Sequence, residues 1–311
     1  MTHRLSGEVY QCAVNFSEGR RFEVVEAIAL AMEAAGGTVI DWSLDPDHNR
    51  SVVTVLGDAQ SAERAVIAGA REATVRIDLR AHVGAHPRCG ALDVAPVTPV
   101  RHATRGGAIE VSRRIGAGIA ALLQIPVFFY EWSAAEGRPS DLPTLRRSAE
   151  EAFGRGSFDG ALLPDLGPAR PHPTAGATVA GARGPLVAFN VVLARHGGGL
   201  SVARQIARDI RRERDRRPEL NGVRALGVPL ESRGLAQVSL NLTRAGETTL
   251  AGVLSFVRER AAACGAQVQE TELIGAVASA ALGAVPRELQ IAGFRPEQVL
   301  EHWLPEEQLT G

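Results

Sequence analysis

Apolar positions along this chain change period at intervals, and each change predicts an element. VYQCAV at 9–14 reads as a strand. Val24, Val25, Ile28, Ala31, Met32 and Ala35 then keep the spacing of one helix face until Gly36 and Gly37 close it. Residues 38–42 form a second predicted strand, the turn-rich DPDHNR follows at 45–50, and 51–56 form a third. A helix is predicted over 59–73, and the alternation of Val75, Ile77 and Leu79 predicts a fourth strand. The order is βαββαβ.

The same order returns further along. Strands are predicted at 186–193, 223–228, 236–242 and 268–274, with helices at 201–216 and 248–264. Asn15 and Phe16 follow the first strand of one copy, and Phe189 and Asn190 lie in the first strand of the other. The pattern predicts an α/β (α+β) chain of two ferredoxin-like βαββαβ sandwiches, residues 1–184 and 185–311, with a cleft between them as the expected ligand site. Residues 101–180 are expected to add further helices and a strand around IPVFFYEW.

Composition narrows the class. A chain of 311 residues has room for two domains, and 45% hydrophobic content is enough for ordinary cores. Thirty-four basic residues against 35 acidic ones give a formal charge of -1, so nothing in the overall balance points to nucleic acid or an anionic membrane surface, and any anion recognition has to be local. The chain has no apolar run of roughly 18 residues. Its start, MTHRLSGEVYQC, lacks the pattern of a cleaved leader, which predicts a cytoplasmic protein. Cys12, Cys89 and Cys264 are too few and too far apart for a disulfide framework or a paired metal site. Cys12 and Cys264 are expected to be small buried hydrophobes, and Cys89 to pack rather than react.

The unusual stretch is AHVGAHPRCGALDVAPVTPV at 81–100, where two histidines, an arginine and an aspartate stand among glycine and proline. Gly84 and Gly90 permit torsions closed to other residues and Pro87 disfavours helix at His86, so the stretch reads as a rigid exposed loop that holds imidazoles. His82 and His86 have the spacing of two zinc ligands on a helix, but Gly84 and Pro87 oppose a helix and no third ligand is near, so metal is not expected. A hydrogen bond that staples the loop is the competing role, more for His82 than for His86.

Other constellations are weaker. Asp45, Asp47 and Asn49 either shape the DPDHNR turn or bind through it. The stretch GPARPHPTAGATVAGARG at 167–184 fits no phosphate-loop spacing and can be a plain linker, and RRERDRR at 211–217 reads as a solvated helix end.

Several blocks carry a resemblance from end to end: NFSEGR (15–20), the pair Asn49 and Arg50, HxGxHPRxGALDVxPxxPV (82–100), PDLGP (164–168), GATVAGAR (176–183), AFN (188–190) and LAQVSLNL (235–242). Together they resemble the formiminotransferase part of glutamate formimidoyltransferase, in the family's order and over nearly the whole chain. The resemblance implies transfer of a formimidoyl group from N-formimidoyl-L-glutamate to N5 of tetrahydrofolate, a step of histidine breakdown. It implies His86 as catalytic acid and base. It also implies folate binding by Gly167, Pro168, Ala169, Arg170, Pro171, His172, Pro173, Thr174, Ala175 and Gly176. Tetrahydrofolate is then a co-substrate, no metal is required, and a homodimer is expected. The family's fused cyclodeaminase domain is not expected in a chain ending at Gly311, which predicts a monofunctional enzyme.

One imidazole with a pKa near about 6.5 can serve both proton transfers of such a reaction. Both substrates are polyanionic, so Arg50, Arg88 and Arg183 are candidate carboxylate grips, Arg88 first. Asp41 and Asp93 are candidates to face the amidinium-like charge or to act as structural acceptors, and His82 is a supporting contact. Typical members have lysine and glutamate where this chain has Val83 and Ala85, and an aromatic is common at Val97. Two alternatives therefore stay open: formyl transfer from N-formylglutamate, and a folate-binding protein without transferase activity.

Overall fold

The computed structural model describes residues 5–84, 87–158, 162–194 and 199–304. Its chain divides into two compact units, Leu5–Gly184 and the chain from Pro185 onward.

In the first unit, β1 (Val9–Phe16), α1 (Phe22–Ala34), β2 (Thr38–Asp45), β3 (Arg50–Gly57) and α2 (Ala59–Arg76) follow the predicted order. Alternation on β1 turns Cys12, Val14 and Phe16 toward α1, where Val25, Ile28 and Met32 meet them in one buried cluster. Each such side chain contributes about 1.5–3 kcal/mol when fully buried. Asp58 starts α2 by accepting from the amides of Gln60 and Ser61.

The fourth strand differs from expectation. α2 runs on through Val75, which is exposed, to Arg76, and the fourth strand is β4 (Leu92–Arg101). Ala62, Ala65, Val66, Ala70 and Ala73 are buried at helical spacing, and that longer pattern overrides the three-residue alternation after it. β4 occupies half of the stretch expected to be an exposed loop, and residues 89–98 are buried. Pro96 and Pro99 conceal it in sequence, because neither donates to a ladder.

α3 (Arg105–Leu123), β5 (Val127–Phe129), α4 (Leu142–Arg155) and β6 (Thr178–Ala182) complete the unit. The sheet order is β2-β3-β1-β4-β6-β5, with β6 parallel to both of its neighbours. GATVAGAR is thus no linker, since it carries a fully buried strand. α4 packs Leu145, Ala149 and Ala152 with Val94, Phe128 and Val179, in a cluster distinct from the one α1 shares with β1.

The second unit holds β7 (Val187–Leu193), α5 (Leu200–Glu213), β8 (Val223–Leu230), β9 (Leu235–Leu242), α6 (Leu250–Ala263), β10 (Val268–Ile274) and the short α7 (Ser279–Leu282). Its sheet order is β10-β7-β9-β8, antiparallel throughout. With β7 to β10 set against β1 to β4, both sheets contain the run second-third-first-fourth, with the first and third strands between the other two, the ferredoxin-like order. The RRERDRR segment is pinned as well as solvated: Glu213 pairs with Arg212, Arg217 and Arg260, and Arg217 lies over the Phe256 ring. Cys264 was expected to be buried, yet it is exposed at the C-cap of α6, while Cys12 is buried as expected.

Candidate functional site

Four stretches far apart in sequence meet at one end of the first sheet. The turn after β1 carries SEGR, where Ser17 Oγ donates to the Gly90 carbonyl at 2.7 Å and the Ser17 amide to the Ala91 carbonyl at 2.9 Å. Glu18 is buried. Burial opposes its charge, but the amides of Arg20 and Arg21 and the Arg21 guanidinium hold its carboxyl below the usual range. Gly19 is required at its position, because a Cβ there would stand 2.2 Å from the Asp45 carbonyl oxygen and 2.4 Å from the Arg50 amide nitrogen.

The DPDHNR turn supplies the hub. Asn49 adopts a left-handed backbone with φ of 49°. Its Oδ1 accepts from the Gly19 amide at 2.9 Å, its Nδ2 donates to the Val83 carbonyl at 2.9 Å, and its own carbonyl accepts from His82 Nε2 at 3.0 Å. One asparagine therefore joins three segments, and the turn does more than reverse the chain. Asp45 shapes the turn by accepting from the His48 amide and ring.

His82 is the staple that sequence suggested. Since a carbonyl only accepts, this contact places a proton on Nε2. Nδ1 is buried and has no hydrogen-bond partner among the described residues, and burial above all depresses the ring's pKa. Arg88 Nη2 donates to the His82 carbonyl at 3.1 Å, and Nη1 stands 3.9 Å from the Glu150 carboxylate on α4. His86 and Ala85 lie outside the described residues.

Asp93 is reached from this loop through a change of register. Asn15 pairs with Val94 and Phe16 with Leu92, so Asp93 is the extra residue of a bulge on β4. Its Oδ1 accepts from the Cys89 amide at 2.9 Å and from the Cys89 thiol at 3.1 Å, and its Oδ2 accepts from Arg146 Nε at 3.0 Å and from Arg146 Nη2. Burial opposes ionisation, but Arg146 holds the Asp93 carboxyl below its ordinary range. Burial together with Asp93 pushes the Cys89 thiol well above its own. The Arg50 guanidinium lies deep in the same cluster: burial and then Arg146 lower its pKa, while Asp93 and Asp45 oppose them.

Arg183 follows β6. Its amide donates to the Val97 carbonyl at 3.0 Å, and its side chain hydrogen-bonds Tyr130. Burial pushes the Tyr130 phenol up to about 12 against the pull of Arg183 and Arg146. Asp41 is buried in mid-strand on β2 and pairs with Thr54, with β3 and β1 lying between its strand and that of Asp93.

The stretch 167–176 ends in a tight loop locked by reciprocal backbone bonds between His172 and Gly176. His172 Nδ1 accepts from the Ala175 amide at 3.0 Å, and burial lowers this ring's pKa too. Leu79 N donates to the Thr174 carbonyl and Ala91 N to the Ala175 carbonyl, so the loop is tied to both ends of the histidine segment. Gly167, Ala169, Arg170 and Pro173 remain exposed, while Pro171, Ala175 and Gly176 are buried.

The structure therefore brings together His82, Arg50, Arg88, Asp93 and the 172–176 loop, and leaves Asp41 apart. Sequence reasoning missed Arg146. It belongs to LRRSAEE, which reads as an ordinary polar helix face, and only the i, i+4 spacing of Arg146 and Glu150 hinted at a shared face. Among the described residues no group of three or more His, Cys, Asp or Glu is placed to hold a metal ion, and no helix is long and apolar enough to cross a membrane.

A sandwich of this order, with an arginine-lined loop cluster at one end of its sheet, has a counterpart among known proteins. The formiminotransferase domain, N-terminal subdomain, matches residues 9–183, and the formiminotransferase domain matches residues 188–287. The chain belongs to the formiminotransferase family. It is 36% identical to glutamate formimidoyltransferase of Streptococcus pyogenes serotype M1 over 96% of this chain and 99% of that protein. It is 34% identical to glutamate formimidoyltransferase of Thermoplasma acidophilum over 94% and 95% of the two. Identity to formimidoyltransferase-cyclodeaminase of Rattus norvegicus is 35% over 88% of this chain, which spans about half the length of that relative (51%).

Proposed function

We propose that the protein transfers a formimidoyl group from N-formimidoyl-L-glutamate to N5 of tetrahydrofolate. The observation that supports this most is the near full-length similarity to two glutamate formimidoyltransferases, together with the meeting of the four motif blocks at one end of a single sheet. In this reading residues 1–184 and 185–311 are the two formiminotransferase subdomains, and the protein is a cytoplasmic homodimer.

N5 of the folate attacks the amidine carbon, and the tetrahedral adduct collapses when a proton reaches the departing glutamate nitrogen and N5 loses its own. His86 performs both transfers. His82, which keeps its proton on Nε2 against the Asn49 carbonyl, orients the loop and borders the substrate. Arg50, Arg88 and Arg183 take the substrate carboxylates, a task suited to a guanidinium fork. Asp93 contributes through its bonds to Cys89 and Arg146. Asp41, on β2 with two strands between it and that of Asp93, is left the structural role that the sequence also offered it. Residues 167–176 hold the folate, and their locked backbone presents a preformed surface. This acid–base route needs no metal.

Anaerobic incubation with tetrahydrofolate and either formimidoylglutamate or formylglutamate tests the reading. Formation of 5-formimidoyl-tetrahydrofolate that survives dialysis against a chelator is expected. Transfer from formylglutamate alone would move the assignment to formyl transfer, and folate binding without transfer from either donor would leave a binding protein.

A further inference from the structure

We propose that Arg146 is a positioning residue, and that with Glu150 it makes α4 a clamp on residues 87–93, the segment that follows His86. The proposal rests on the assignment of His86 as acid and base.

α4 is not part of the βαββαβ frame, yet it grips this segment at two points one helical turn apart. Arg146 meets Asp93 through both Nε and Nη2, and Glu150 stands 3.9 Å from Arg88. The two grips differ in kind. Arg88 and Glu150 are partly solvated, where such a pair is weak. Asp93 is buried, and its far oxygen holds the Cys89 backbone amide. A displacement of Arg146 is therefore passed through one rigid carboxylate to the backbone three residues from His86.

Stability alone gives little reason for this pair. A buried ion pair gains little over apolar side chains of similar volume, and Leu145, Ala149, Val94 and Val179 already supply an apolar setting around α4. Directional hold is what the pair adds. Arg147, its neighbour in sequence, is exposed and serves as an internal control.

The test compares steady-state kinetics of Arg146→Met, Arg146→Lys and Arg147→Met, each alone and in a His86→Ala background. Misplacement of a catalytic group is expected to lower kcat of Arg146→Met by about tenfold or more, with KM for both substrates within about twofold of wild type. Arg147→Met is expected to match wild type. In the His86→Ala background, Arg146→Met should change the residual rate by less than about twofold, because a positioning residue has nothing left to position. Wild-type kcat in Arg146→Met overturns the proposal, as does a raised KM at unchanged kcat or a full additional loss in the His86→Ala background. If Arg146→Met does not fold, Arg146→Lys decides: it keeps the charge and loses the two-nitrogen grip, so kcat should fall at unchanged KM, and wild-type kcat overturns the clamp. An unimpaired His86→Ala enzyme would instead remove the histidine assignment, and the kcat-against-KM split of the single Arg146 variants would judge the clamp by itself.

Discussion

The two βαββαβ units share a frame and differ in what they hang on it. In both, the first and third strands lie between the second and the fourth, yet the connection into the fourth strand spans residues 77–91 in the first unit and only 264–267 in the second. The short connection shows what the fold needs, a single turn between α6 and β10. The extra length in the first unit carries His82, His86 and Arg88, and long connections of this kind are usually functional. The second difference lies beside it. β4 is covered on its outer edge by the parallel β6, and α4 lies against the pair, so Asp93 and Arg146 meet in a buried setting, whereas β10 is an outermost strand.

If chemistry is confined to the first unit, His86→Ala should have the largest effect of any single substitution. Turnover should fall by roughly a hundredfold or more with tetrahydrofolate affinity close to wild type, given the usual size of general acid–base contributions. Near-normal turnover would remove His86 from the mechanism and dissolve the contrast between the units. Two glycines sharpen it at the next level. A Cβ at Gly19 meets the Asp45 carbonyl and the Arg50 backbone in the loop cluster, and a Cβ at Gly227 meets the backbone of Ala203 and Arg204 where β8 packs on α5. Gly19→Ala should cost about tenfold or more in kcat with a modest fall in Tm. Gly227→Ala should lower Tm more while kcat per folded molecule is kept. The reverse pattern in calorimetry and kinetics would mean that the second unit shapes the reacting groups.

The frame was legible in sequence because periodicity records it. Eleven of its twelve strands and helices follow from spacing alone, and 268–274 coincides with β10 to the residue. The fourth strand of the first unit was not legible: Pro96 and Pro99 carry the look of a loop into a central strand, and the brief alternation after Ala73 imitates the missing element. The site divides in the same way. Motif residues with unusual backbone surroundings, such as His82, Asn49 and Arg88, announce themselves. Arg146 does not, since a buried guanidinium and a solvated one next to it are written identically, and only the tertiary meeting with Asp93 separates them.

Acid should also act on the two units unequally. Burial lowers the pKa of His82 and of His172, so the fold favours their neutral forms. The unfolded chain binds those protons more readily, with a pKa of about 6.5. The associated stability is complete above about pH 6.5 and is lost as pH falls through the lower folded values. Asp93 and Glu18, with lowered carboxyl pKa values, add a second loss below about pH 4. Hydrogen exchange at about pH 5.5 and 7.5 should show protection lost in residues 77–91 and 172–176 before β7 and β9 are affected. Substituting both histidines by glutamine should flatten the upper limb of Tm against pH, and an unchanged slope would assign the acid sensitivity elsewhere.

The smallest expected effect concerns how the long connection selects its donor. Val83 is an exposed apolar residue whose carbonyl is held by Asn49, so its side chain is free of the staple that fixes its backbone. Lysine there, with glutamate at Ala85, would restore the charges typical of the family without disturbing that bond. At so exposed a position a charged contact is worth at most about 1 kcal/mol, which limits the change in relative kcat/KM to about fivefold. The double variant Val83→Lys/Ala85→Glu should therefore shift the ratio of kcat/KM for formimidoylglutamate over formylglutamate upward by a few-fold, and raised salt should erase the gain. An unchanged ratio would show that these two positions do not read the donor. A shift well beyond tenfold would show that the loop buries them when substrate binds, making the first unit's added connection a surface that forms around its ligand.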